Sequence, residues 1–187
     1  MRQIDFQPGA ALLLGVLFFA FRPVELGALL IAAAVHELGH WLMLRILGAQ
    51  VCAFAITMTG PVLRYEKASS WFEEVLVSLS GPAAGLLLWF VTLAYWRMLS
   101  EISLFLSLLN LIPVLPLDGG RALRSLLAHF VGDSSAERFC NMLCIVLCGS
   151  LLFCGLYAAY SGFGITLAVF AAWLTALACQ ADGIDVK

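Results

Sequence analysis

GALLIAAAVHELGHWLMLRILG, Gly27 to Gly48, is apolar enough to lie in a bilayer, yet its centre carries His36, Glu37 and His40. At about 100° per residue, two side chains four positions apart stand roughly 40° apart on one helix face, one turn from each other. Two imidazoles so placed can bind one metal ion. Glu37 projects beside them, where a carboxylate can take a proton from a water held by that ion. Ionisable groups inside a bilayer are costly and mark function by default, which favours a working site over a polar packing cluster.

The rest of the chain agrees with a membrane setting. Of 187 residues, 63% are hydrophobic and 12% charged, and the mean hydropathy is +1.00. A soluble domain carries about twice that charge. The apolar residues fall in blocks near the roughly 20 residues that a membrane helix needs. The expected class is an all-α polytopic membrane protein with about six transmembrane helices. The net charge of −2 points to no class of partner, and no basic patch suggests nucleic acid.

Outward from the central stretch, residues 1–22 read as a short first span ending at Arg22-Pro23. Gln50 to Tyr65 is rich in strand formers and broken at Thr59-Gly60-Pro61, which predicts a small β-hairpin at the membrane surface. Trp71 to Trp96 gives a third span, interrupted by Ser80-Gly81-Pro82 with Gly85 one turn on. Proline there removes a backbone donor, and the glycines let another helix approach. Arg97 to Glu101 reads as a polar break before a fourth span, Ile102 to Ile112.

That span runs into NLIPVLPLDGGR, Asn110 to Arg121, with two prolines and two glycines. Irregular backbone near the membrane is tolerated only where it is buried in protein or lines a wet cavity. Asp118 and Asn110 are therefore expected to share a cavity with the histidines. An amphipathic piece, Arg121 to Phe130, carries a solvated His129 and leads to a loop, Gly132 to Arg138. Spans five and six, 139–160 and 165–178, show no chemistry and read as packing or gating helices. Cys140, Cys144 and Cys148 recur every four residues on one apolar face, as small packing residues do, with no C-x2-C spacing of a metal or redox motif. With six spans, eight Lys and Arg (Arg2, Arg45, Arg64, Lys67, Arg121, Arg124, Arg138, Lys187) fall on one side and two (Arg22, Arg97) on the other. This asymmetry predicts cytosolic termini.

A hydrolytic zinc site takes three protein ligands and keeps one open position. His36 and His40 supply two, and Asp118 is the outstanding candidate for the third. Glu37 is then the general base and later the proton donor, and Asn110 a donor to the oxyanion or the substrate backbone. For Asn110 a helix–helix hydrogen bond is a nearly equal alternative.

Three motifs thus occur in order: His36-Glu37-Leu38-Gly39-His40, then Ser80-Gly81-Pro82 with Gly85, then Asn110 to Gly120 with Gly119 after the aspartate. Together they resemble the site-2 protease family of intramembrane metalloproteases. The compact layout without a PDZ insertion is similar to the branch of the stage IV sporulation protease. The resemblance implies one membrane-embedded metalloprotease domain over 1–187, with a three-helix catalytic core over about 27–120 and accessory helices at 1–22 and 139–178. It implies one Zn2+ per chain on His36, His40 and Asp118. It also implies cleavage of transmembrane or membrane-proximal segments of other proteins in regulated proteolysis, with pro-sigma or anti-sigma factors as candidate substrates and a regulatory membrane partner. Gly85 stands where many relatives carry Asn, so no side chain acts there. Two other readings remain: a silent client-binding protein, for which Glu37 would be superfluous, and a metal transporter, for which paired repeats are missing.

Overall fold

The computed structural model describes residues 3–6, 22–49, 51–57, 60–65, 70–162 and 166–181. Six helices lie among them: α1 (Pro23–Ile46), α2 (Trp71–Thr92), α3 (Arg97–Asn110), α4 (Asp118–Val131), α5 (Asp133–Tyr160) and α6 (Thr166–Ala181). Three of them, α1, α2 and α5, are long and apolar enough to cross a membrane. At 1.5 Å per residue the shortest of the three is about 33 Å long, enough for the hydrocarbon core. Their outer faces carry Leu30, Leu38, Leu42, Phe90, Ile145 and Phe153, all exposed, as lipid-facing residues should be. The chain is a membrane protein with an all-helical core architecture.

The backbone of β1 (Gln3–Phe6) pairs in parallel with β2 (Val51–Thr57), which pairs antiparallel with β3 (Gly60–Tyr65). The turn of the expected hairpin, Met58-Thr59, lies outside the described residues. The N-terminal span was expected to be helical from the start. Gln3–Phe6 is instead extended, in keeping with the alternation of Gln3 and Asp5 with Ile4 and Phe6. Residues 7–21 lie outside the described residues.

The chain forms two compact units, 1–111 and 112–187. In the first, α1, α2 and α3 pack on one another around Ala28, Ala32 and Leu99, with Leu88, Ile102 and Leu106 against them. Helix α1 starts at Pro23, whose missing N–H is one of the orphan donors of any helix start, and the Arg22 N–H donates to Glu25 Oε2 at 3.0 Å. Helix α2 is capped by Ser70, whose Oγ accepts from Glu73 N at 3.2 Å. Small residues set the helix crossings. A methyl group on Gly39 would lie 2.5 Å from the Ser80 carbonyl oxygen and 2.7 Å from Ala84 Cβ, so α1 and α2 meet backbone to backbone. Between α2 and α3, Ser103 Oγ donates to the Gly85 carbonyl (2.8 Å) and Ser100 Oγ to that of Trp89 (3.0 Å).

Two expectations need correction here. Helix α2 ends at Thr92, where Tyr95 and Trp96 turn their N–H groups back onto the Thr92 carbonyl. Arg97–Glu101 is the first turn of α3 and not a break, and Arg97 Nε donates to Glu101 Oε1 (2.8 Å) one helical turn on.

In the second unit, Val114, Leu117, Cys144, Cys148 and Leu174 form the core, with Ile112 and Leu147 packed against it. The helical chain stops at Asn110 and resumes at Asp118. Between them Pro113 and Pro116 withhold two N–H groups, and the Leu115-Pro116 peptide is cis. Gly120 lets the chain fold back on itself, for a Cβ there would meet the Val114 carbonyl carbon at 2.5 Å and Leu115 N at 2.6 Å. The amphipathic piece is the full helix α4. The expected Gly132–Arg138 loop shrinks to Gly132, with φ +81°, and α5 begins at once with Asp133 in its first turn. Polar residues there extend the helix beyond the apolar block, where an acidic first turn suits the helix dipole. Gly155 faces the α6 backbone at Leu167 and Ala168, closing α5 on α6.

Candidate metal centre

His36 and His40 lie on the inner face of α1 with Ala28, Ala32 and Leu44. They are 6% and 7% exposed. Their Nε2 atoms stand 3.2 Å apart, with the rings at 80° and centroids 4.9 Å apart. Two nitrogens each about 2.05 Å from one ion at the tetrahedral angle stand about 3.3 Å apart, so the pair fits a common ion. The same spacing permits an N–H···N hydrogen bond, which an ion would replace.

Helix α2 orients the second imidazole. His40 Nδ1 lies 2.7 Å from the carbonyl oxygen of Val77. A carbonyl only accepts, so Nδ1 carries the proton and donates, and in the neutral ring Nε2 is left with its lone pair. This is the arrangement that holds a ligating histidine in one tautomer and one ring orientation. The Val77 carbonyl also accepts from Ser80 Oγ at 2.6 Å.

One turn along α2, Gly81 makes room for the rings. A Cβ at Gly81 would overlap His40 Nε2 and lie 2.8 Å from His36 Nε2. The backbone of α2 therefore forms a wall of the histidine site. Pro82 is buried next to it, and Gly85 continues the same face onto α3, where a Cβ would overlap Ser107 Oγ.

The remaining candidates are placed as follows. Glu37 is half-buried on α1, next to His36. Asn110 closes α3, and its Nδ2 donates to the Leu106 carbonyl (2.9 Å), so this amide is held by its own helix. In the second unit, Asp118 is the first residue of α4 and 7% exposed. Its Oδ1 lies 3.9 Å from Arg121 Nη1, and Gly119 beside it is buried. His129 is exposed in the last turn of α4, with its ring 5.0 Å from that of Phe130. Cys140, Cys144 and Cys148 are buried, and Cys144 Sγ lies 3.9 Å from Cys148 Sγ.

Sequence reading did not single out Val77 or Ser78. A backbone carbonyl acceptor has no residue-type signature, and a serine in an apolar helix reads as ordinary packing.

The model of Peptidase family M50 matches residues 89–154, from the end of the second helix into the fifth. The chain is related to that family and has the site-2 protease fold. The structure of the site-2 protease from Methanocaldococcus jannaschii superposes with a TM-score of 0.75, covering 95% of this chain and 89% of that one at 23% identity. In sequence, the chain is 35% identical over 124 residues to sll0528 of Synechocystis sp., covering 58% of this chain and 33% of that protein. It is 27% identical over 117 residues to zinc metalloprotease MJ0392 of M. jannaschii, covering 56% of this chain and 34% of the relative. The chain thus spans about a third of the length of these relatives.

Proposed function

We propose that this protein is a zinc-dependent intramembrane endopeptidase that hydrolyses transmembrane or membrane-proximal peptide bonds of other proteins. The observation that carries the reading is the His36–His40 pair inside a membrane-crossing helix, with Nε2 atoms 3.2 Å apart and His40 Nδ1 tied to Val77. A tautomer-locked histidine pair of this spacing is what a zinc site requires of its first two ligands. Relatedness to zinc metalloprotease MJ0392 supports the choice of metal.

In this reading His36 and His40 hold one Zn2+ together with Asp118. When bound there, the ion would supply Lewis-acid activation of water. Glu37 takes a proton from the attacking water as its oxygen adds to the scissile carbonyl carbon. It returns that proton to the departing amine nitrogen as the C–N bond breaks. Asn110 binds the substrate backbone beside the site, and Gly81-Pro82 and Gly119 shape its walls.

The whole chain acts as one membrane-embedded domain, with its core over 27–120 and the hairpin at the membrane surface. It sits in a bacterial cytoplasmic membrane with both termini cytosolic, an orientation supported by the eight-to-two division of Lys and Arg. Its role is regulated intramembrane proteolysis under a membrane partner, in the manner of the sporulation branch, with pro-sigma or anti-sigma factors among its substrates.

Co-expression with tagged single-span and pro-sigma-type substrates tests this. Wild type cleaves at least one of them, while Glu37→Gln cleaves none, stays folded and keeps its metal. Cleavage by Glu37→Gln, or a wild type that binds no metal, overturns the reading.

A further inference from the structure

The turn of α2 that bears on the histidines contains one more polar group, the hydroxyl of Ser78. It is fully buried, at 0% exposure, and among the described residues its Oγ has no hydrogen-bond partner. A hydroxyl in an apolar helix ordinarily satisfies itself on a carbonyl three or four residues back. Other helical hydroxyls of this chain do so: Ser80 on Val77, Thr92 on Leu88, Ser107 on Ser103, Ser150 on Leu147 and Thr175 on Ala171. Ser78 does not.

Its backbone is under-served as well. The helical partner of the Ser78 carbonyl would be the N–H of the residue four positions on, and that residue is Pro82, which has none. The helix therefore gives the Ser78 carbonyl no donor four positions on, and its hydroxyl has no partner among the described residues. Leaving a buried polar group unmatched is expensive, and ordered water is one of the partners that meet such groups at prolines in membrane helices.

The place of this residue gives the leftover pair a use. Ser78 follows Val77, the acceptor for His40, and lies about 60° around the helix and one turn from Gly81, which abuts both imidazoles. It shares the buried face of α2 with Gly81, Pro82 and Gly85. A hydrolase in a bilayer has to hold its water at the site, since the surrounding hydrocarbon supplies none.

We propose that Ser78 is a positioning residue that binds a water molecule at the histidine site, through its hydroxyl and its carbonyl, and so supplies the oxygen nucleophile for peptide hydrolysis. The inference rests on the proteolytic reading above and adds to it the group that retains water.

The test compares wild type, Ser78→Ala and Ser78→Cys as purified full chains in detergent, on a substrate that wild type cleaves. Cysteine keeps nearly the same volume but is a weak hydrogen-bonding group. Both variants should lose about tenfold or more in kcat with KM and zinc content unchanged, as misplacing a reactant does. Ser78→Ala should also melt at the same temperature or higher, because it removes a buried hydroxyl with no protein partner. A role in packing alone moves the melting temperature down and leaves kcat as it was, which overturns the proposal. A rise in KM at constant kcat overturns it too, by assigning the hydroxyl to substrate. Failure of wild type to cleave any substrate in the co-expression test defeats the proteolytic reading itself and this inference with it. Wild-type kcat in both variants defeats the inference alone.

Discussion

His40 and Val77 are 37 positions apart in the chain, yet the imidazole Nδ1–H of one donates to the carbonyl oxygen of the other at 2.7 Å. This one bond ties α1 to α2 and decides which nitrogen of His40 is left to bind a metal. The site therefore depends on how closely the two helices approach, and substitutions that alter the approach should change metal binding before they change anything else.

Gly81→Ala is the sharpest case. Its methyl group would overlap His40 Nε2 and crowd His36 Nε2. The variant should insert and fold, but its zinc affinity should fall by about tenfold to a hundredfold, the range seen when the orientation of a ligand is disturbed. Metal content after dialysis against a buffered zinc series measures this. Affinity equal to wild type would show that the rings do not sit against α2 in the metal-bound protein.

Metal removal should destabilise the protein through the same residues. A ligand that binds only the folded state stabilises by RT ln(1 + [L]/Kd), about 2.7 kcal/mol at a hundredfold excess over Kd. Thermal melts in detergent with and without a chelator should differ for wild type. His36→Ala, His40→Ala and Asp118→Asn should each shrink that difference. An undiminished difference in Asp118→Asn would remove that residue from the proposed ligand set.

The contact between α2 and α3 allows a double-mutant cycle. Gly85→Ala places a methyl group on Ser107 Oγ, while its next neighbours are at the ordinary distances of 3.5 and 3.7 Å. It should cost about 1–3 kcal/mol as overpacking does. Ser107→Ala takes away the clashing atom, so the double variant should recover most of that loss, and the coupling is read from the melts of all four proteins.

Gly120→Ala has no such remedy, because its methyl group would meet the backbone of Val114 and Leu115 at 2.5–2.6 Å. It should lower the melting temperature of the second unit more than Gly85→Ala lowers that of the first. By contrast, Arg97→Gln removes an ion pair whose side chains are 86% and 64% exposed, and its melting curve should coincide with wild type.

Much of this protein is decided locally and so is open to direct reading. Apolar blocks of membrane length at Gly27–Gly48, Trp71–Trp96 and Phe139–Tyr160 determine helices, because a bilayer leaves the backbone few other ways to satisfy itself. The spacing of His36 and His40 determines that they share a face, because helix geometry alone puts them there. The prolines between Asn110 and Asp118 determine a break, because they lack the donor a helix needs. The polar stretches were harder to read: the charges of Arg97 and Glu101 look like a loop until the i, i+4 pairing is seen, and Ser134 to Arg138 look like one until Gly132 alone is seen to make the turn.

Tertiary structure decided the rest. That Val77 offers its carbonyl to His40, that Gly81 and not Gly85 faces the imidazoles, and that Ser78 alone among the mid-helix hydroxyls named here is left without a protein acceptor all follow from the rotation and crossing of α1 against α2. Those are set by the sum of many small contacts at Gly39, Ser80 and Ala84. A backbone carbonyl is chemically the same at every position, so no residue type announces which one will orient a ligand.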